Sequence, residues 1–247
     1  MDLAALSAYV TQLFSDFEPR LYIASTWILP AIVAITLHEA AHGFAAWRLG
    51  DDTAKQMGRV TFNPIPHVDP IGTILLPALL IASPLQFFFG YAKPLPVAMH
   101  RLNRPRRDMI FVAAAGPAAN LLLALVSAAL LRLTPLFSAG PGDWLVHNLV
   151  NSIFFNLLLG LFNMLPLPPL DGGKVAVCLL PQPFAYWLAR LDRYGIVIII
   201  AQLLVFALGA KFLDSSIDPL QLVIWRPIEW LLPYFFQIGG LIDQGAA

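Results

Sequence analysis

Residues 27–47 read WILPAIVAITLHEAAHGFAAW. It is apolar over enough length to cross the roughly 30 Å hydrocarbon layer of a bilayer as a helix. Inside it lies His38-Glu39-Ala40-Ala41-His42. Residues four apart share a helix face, so both imidazoles can reach one metal ion. Glu39, one residue past the first histidine, is placed to take a proton from a water that the ion activates. The bland alternative makes these groups helix-packing polar residues. Three ionisable side chains on one turn of a lipid-embedded helix are too costly for that unless they act together. The whole chain holds three glutamates and five histidines, so chance assembly of the pattern is rare.

Composition agrees that lipid is the solvent. Of 247 residues, 58% are hydrophobic and 12% charged, against roughly 25% charged in soluble domains. Mean hydropathy is +0.72. Net charge is zero, and no basic cluster interleaves with aromatics, which sets nucleic acid aside. The lone Cys178 excludes an internal disulfide framework and a cysteine-rich zinc ribbon. The first residues carry Asp2 and no early Lys or Arg, unlike a secretory signal peptide.

Three more stretches are expected to span the bilayer: Met109–Leu133, Leu149–Pro169 and Tyr194–Leu213. Two others are ambiguous. Ile71–Phe89 is interrupted by Pro77 and Pro84, and Ile217–Phe236 contains Arg226, Pro227, Glu229 and Pro233. Residues 3–17 are expected to form a short surface helix. The expected fold is an all-α polytopic membrane protein of about four to six transmembrane helices, with a re-entrant or broken segment near 71–89. One domain is expected over 1–247, with its core at about 27–173 and further membrane segments at about 194–236.

Zinc needs a third protein ligand, leaving a fourth position for water. The third stretch ends Asn163-Met164-Leu165-Pro166-Leu167-Pro168-Pro169-Leu170-Asp171-Gly172-Gly173. Prolines stop the helix here, so Asp171 lies where the chain unwinds. Two readings stand for it: a zinc ligand, or an ordinary cap of the next helix.

His38-Glu39-x-x-His42 in a membrane span, with Asn163-x-x-Pro166 and Leu170-Asp171-Gly172 far downstream, resembles the site-2 protease family of zinc intramembrane proteases. Gly116-Pro117-Ala118-Ala119-Asn120 matches a further element of that family. The loops Gly50-Asp51-x-x-Ala54-x-x-x-Gly58-Arg59 and Asn63-Pro64-x-x-His67-x-Asp69-Pro70-x-Gly72, and Lys93-Pro94-x-Pro96-Val97, are similar to its compact bacterial and archaeal branch, which lacks PDZ and CBS domains. The likeness runs from about Pro30 to Gly173. It implies that His38, His42 and Asp171 hold one Zn2+ and that Glu39 is the catalytic acid/base. It further implies that Asn120 lies close to the site, where it can steady the oxyanion, and that Asn163 lies near the substrate channel.

If His42 and Asp171 share one ion, their two spans must end at the same depth on the same side. An odd number of crossings then separates them, so 71–89 must not cross. Under that layout one side receives Arg48, Lys55, Arg59, Lys93, Arg101, Arg104, Arg106, Arg107, Lys174, Arg190 and Arg193, and the other, before the fourth span, only Arg20 and Arg132. The positive-inside rule then puts the zinc site toward the cytoplasmic face of the plasma (inner) membrane.

The expected chemistry is hydrolysis of peptide bonds in a membrane-spanning protein substrate. Gly58–Phe62 reads either as a surface turn or as a short strand able to pair with extended substrate. His67 and Asp69 read as turn-ordering residues, His100 and His147 as surface residues, and Phe87-Phe88-Phe89 as lipid-facing. Two rivals remain: a catalytically silent homologue that binds membrane helices, and a metal transporter. The intact Glu39 argues against the first. The second would have no evident use for that glutamate, and the chain shows none of the repeated halves common in transporters.

Overall fold

Apolar runs become long helices here, and prolines and short polar residues mark most of their ends. The computed structural model describes residues 3–76, 79, 90–195, 197 and 221–242, with side chains from Leu21 onward apart from 74 and 221. Its helices are α1 (Leu3–Arg48), α2 (Thr53–Gln56), α3 (Pro105–Leu131), α4 (Pro141–Asn163), α5 (Asp171–Leu179), α6 (Gln182–Arg190) and α7 (Arg226–Gly239). Among the described residues, three helical segments are long and apolar enough to cross a membrane: Leu21–Arg48 of α1, all of α3 and all of α4. The chain is an all-α polytopic membrane protein. Large apolar side chains such as Ile23, Ile28, Leu122 and Val126 face outward, where lipid is the favourable surrounding.

Several expectations shift. Residues 3–17 do not form a separate surface helix, because α1 runs unbroken from Leu3 through Pro19 and Pro30. The third span begins at Pro141, not Leu149, and stops at Asn163, not Pro169. Pro141 suits the first helical turn, where its missing N–H has no intrahelical partner to lose, and Asp143 accepts from the Gly140 N–H. Past Asn163 the prolines at 166, 168 and 169 end the helix. Gly58–Phe62 adopts turn and bend conformations, so the strand alternative falls. Tyr194–Leu213 and Phe87–Phe89 lie almost wholly outside the described residues, as does most of the later part of 71–89.

The direction of each helix follows from its contacts. Trp144 Nε1 donates to Ser25 Oγ and Asn151 Nδ2 to Thr26 O, so the start of the Leu21–Arg48 segment of α1 lies beside the early turns of α4. At their other ends, His38 and His42 meet Asp171, just after α4. The two helices therefore run parallel. Helix α3 runs against them, with Val112 beside His42 and the buried Asp108 lining one cleft with Leu49, just past the end of α1. Whatever path 77–89 takes, the connection from α1 to α3 returns to the side it left. Asn103 N–H donates to Leu49 O and Ala98 N–H to Asp51 Oδ2.

That connecting loop is ordered by its own polar groups. Asp51 accepts from the Thr53 N–H and hydroxyl. Asp69 accepts from the N–H groups of Ile71 and Gly72, and His67 Nε2 lies 3.1 Å from Thr61 O. Arg59, almost wholly buried, donates to Lys93 O. A Cβ at Gly43 would press on Val60 and Leu95, so the loop rests against α1 one residue beyond His42.

Away from this loop, α3, α4 and α7 enclose an apolar core of Ala124, Ala128, Leu131, Leu149, Ile153, Leu157, Ile228 and Phe235, joined by Ile224. The ambiguous stretch 217–236 thus contributes a packed helix. Its far end lies at the end of α3, where Arg132 Nε donates to Ile238 O and Gly239 abuts Leu131.

Candidate metal centre

One turn of α1 presents His38 and His42 to the bundle interior, 5% and 6% exposed. Asp171 comes to them from the start of α5, 4% exposed. Asp171 Oδ2 lies 3.1 Å from His38 Nε2 and 3.0 Å from His42 Nε2, and the two Nε2 atoms are 3.0 Å apart. Of the two readings of Asp171, the cap falls: Leu170 occupies the cap position and α5 receives no side-chain capping bond. Lys174 Nζ instead donates to Asp171 Oδ1 at 2.9 Å, leaving Oδ2 turned toward the histidines.

Hydrogen-bond neighbours set the tautomers of the two histidines. His42 Nδ1 lies 2.7 Å from Val112 O. A carbonyl only accepts, so Nδ1 carries a proton and Nε2 is the ring atom left for a metal ion. His38 Nδ1 lies 2.6 Å from Asn120 Oδ1, which fixes the same tautomer. With both Nε2 atoms unprotonated, three acceptor atoms face one another at hydrogen-bond distance, an arrangement that a bound cation satisfies. Zinc, with bonds of about 2.0–2.2 Å in tetrahedral geometry, holds its ligands roughly 3.3 Å apart. The observed triangle needs to open by only a few tenths of an ångström. His38, His42 and Asp171 form the metal-capable cluster found among the described residues, and a His/His/carboxylate donor set is one that zinc accepts.

The space for this cluster is created by glycine. A Cβ at Gly116 would overlap His42 Nε2 and His38 Cε1, so α3 can pass the histidines only without a side chain there. Gly172 and Gly173 do the same for the backbone of Met164–Pro168, letting the first turn of α5 tuck under the end of α4. The proline-rich bend thereby carries Asp171 back to α1.

The other expected residues fall in different places. Glu39 is half-buried on the turn that bears both histidines. Asn120 is fully buried against His38, and its Nδ2 donates to Asn156 Oδ1 at 2.8 Å. Asn163 is not drawn into the cluster: its Nδ2 donates back to Leu159 O one turn earlier. His100 and His147 are exposed. Sequence reasoning passed over Asn156, Lys174 and the use of Gly116. A signal for Asn156 existed: Asn148, Ser152 and Asn156 recur every fourth residue, a polar stripe down one face of an apolar helix.

Comparison with known proteins places the chain beside named metalloproteases. It is 39% identical over 190 residues to a Bacillus subtilis (strain 168) protein named "Putative zinc metalloprotease YwhC", covering 75% of this chain and 83% of the relative. It is 32% identical over 215 residues to "Putative zinc metalloprotease Rip2" of Mycolicibacterium smegmatis, covering 86% and 77%. The Rip2 of Mycobacterium tuberculosis (strain ATCC 25618 / H37Rv) matches at 32% over 144 residues, 57% of this chain and 52% of the relative. No protein-family profile matches the chain, and no solved structure does.

Proposed function

Because the chain belongs to the site-2 protease family and is a zinc metalloprotease, we propose that it cuts membrane-spanning protein substrates within the bilayer, with His38, His42 and Asp171 as zinc ligands and Glu39 as acid/base. The observation that carries this reading is the buried meeting of Asp171, at the start of the short α5, with His38 and His42 on a helix of membrane-crossing length. Bound zinc supplies a Lewis acid that polarises a peptide carbonyl and makes a water acidic enough to ionise near neutral pH.

The chain's own residues do the rest. Glu39 accepts the water proton at a carboxylate oxygen as the water oxygen bonds to the carbonyl carbon. It returns that proton to the amide nitrogen as the C–N bond breaks. Lys174 holds Asp171 Oδ1, so the carboxylate keeps one oxygen turned inward. A substrate helix has its carbonyls occupied by intrahelical bonds, so it must unwind before its peptide carbonyl reaches the site.

The charged residues support an orientation. The ends of α1 and α4 that carry the site share their side with Arg48, Lys55, Lys93, Arg101, Arg104, Arg106 and Arg107, while Arg132 ends α3 on the other. Under the positive-inside rule the site then opens toward the cytoplasmic face of the plasma membrane.

The test is cleavage of a single-span test protein in proteoliposomes by the wild type beside Glu39→Gln. The expected result is cutting by the wild type and a loss of at least about 100-fold in the variant, with zinc content unchanged in both. Zinc-loaded wild type that cuts none of a panel of single-span proteins, yet retains them on pull-down, favours the silent helix-binding homologue.

A further inference from the structure

Two neutral imidazoles must each present Nε2 with its lone pair, which requires the proton on Nδ1. The protein secures this in two unlike ways. For His42 a main-chain carbonyl, Val112 O at 2.7 Å, accepts from Nδ1 directly. For His38 the acceptor is Asn120 Oδ1 at 2.6 Å, and a side-chain amide is reversible: turned over, it would offer N–H to Nδ1 and leave the proton on Nε2.

What prevents the reversal lies on the neighbouring helix. Asn156 Nδ2 sits 2.9 Å from Ser152 O. A carbonyl oxygen accepts only, so the nitrogen of Asn156 faces it and Oδ1 must face the other way. That oxygen meets Asn120 Nδ2 at 2.8 Å, which in turn leaves Asn120 Oδ1 toward His38. Asn120 and Asn156 are 0% and 1% exposed, so no bulk water competes for these bonds. The other N–H of Asn120 points at Ala34 O, 3.5 Å away.

We propose that Asn156 is a positioning residue that, acting through Asn120 and anchored on the Ser152 carbonyl, locks metal ligand His38 in its Nδ1-protonated tautomer. Both amide hydrogens of Asn120 are directed at protein acceptors, so Asn120 acts through His38 and not on a developing oxyanion. The proposal rests on His38 being a zinc ligand. The asymmetry also has a consequence: no side-chain substitution removes the acceptor of His42, whereas that of His38 depends on α4 keeping an amide in register with α3.

The experiment uses the full chain in detergent with two readouts besides activity: zinc affinity by competition with a chromophoric chelator, and the visible absorption of the cobalt(II)-loaded protein. Asn156→Leu is expected to weaken zinc about 10- to 100-fold, as loss of an outer ligand-orienting bond does, and to alter the cobalt bands. Asn156→Asp offers the same donor and acceptor when its buried carboxyl is protonated, and is expected to stay within a few-fold of wild type. Asn148→Ala, buried on the same helix and bonded to Trp144 O, is expected to lower thermal stability with zinc affinity and cobalt spectrum unchanged. If Asn156→Leu does not fold, Asn156→Ala is read in its place.

Wild-type affinity and spectrum in the apolar variant, with metal lost in His38→Ala, would overturn the relay and leave the ligand assignment standing. Zinc bound equally by wild type and His38→Ala would overturn both.

Discussion

Around His38 and His42, helices α1, α3 and α5 meet through glycine, imidazole and carboxylate, whereas farther along α3 its contacts with α4 and α7 are made by Ala124, Ala128, Leu131, Ile153, Ile228 and Phe235. Both regions are well buried, but they tolerate change differently. In the apolar region a lost methyl group leaves a cavity whose cost is local. In the polar region each group fixes the orientation of the next, so a small change displaces atoms that must point at one place within about 0.5 Å. Buried volume is filled in both; only the first specifies direction.

The sharpest way to break this contrast is the smallest addition to the polar region. Gly116→Ala puts a methyl group against His42 Nε2 and His38 Cε1. Zinc affinity is expected to fall at least about tenfold, with proteolysis falling alongside and helical content by circular dichroism kept. Full zinc affinity in this variant would mean that α3 can move away from α1, and that the glycine does not set the cradle.

Ile153→Ala probes the other side. Ile153 is 0% exposed, and its truncation is expected to cost roughly 2–5 kcal/mol, read as a lower unfolding midpoint in detergent. The variant that still folds should keep one zinc per chain. Loss of zinc at full stability would show that the two regions are coupled and the division between them false.

The weakest expected effect lies in the loop. Burial alone would raise the Asp51 carboxyl, but hydrogen bonds from the Thr53 hydroxyl and N–H and from Ala98 N–H, with the nearby Arg101 charge, outweigh it and hold the group below the ordinary carboxylate range. A carboxyl lowered in the folded state adds stability that is complete above its unfolded value, about pH 4, and is lost as pH falls through the folded value. Asp51→Asn should therefore lower the unfolding midpoint at neutral pH and flatten its decline on acidification. An equal acid slope in wild type and variant would assign that decline to other carboxyls.

Much of this arrangement was legible in the sequence because lipid makes polar residues informative. In an apolar helix His38, Glu39 and His42 have few innocent explanations, and the prolines at 166, 168 and 169 mark where the chain can turn Asp171 back. The requirement that His42 and Asp171 meet also anticipated the parallel course of α1 and α4. What escaped was contact-dependent. Helix ends shifted because Pro141 starts a helix as readily as Pro166 stops one, and apolar periodicity does not distinguish the two. Asn163 carried a motif but bonds back to its own helix at Leu159 O. Asn156 carried no motif but stands behind a candidate ligand, a relation visible only once α3 and α4 are side by side.

The most direct test is metal content. Zinc measured by mass spectrometry in purified wild type, His38→Ala, His42→Ala and Asp171→Ala should read about one per chain in the first and well below that in the other three. Stoichiometric zinc in all three variants, or wild-type proteolysis that survives complete removal of zinc, would contradict a zinc centre at His38, His42 and Asp171.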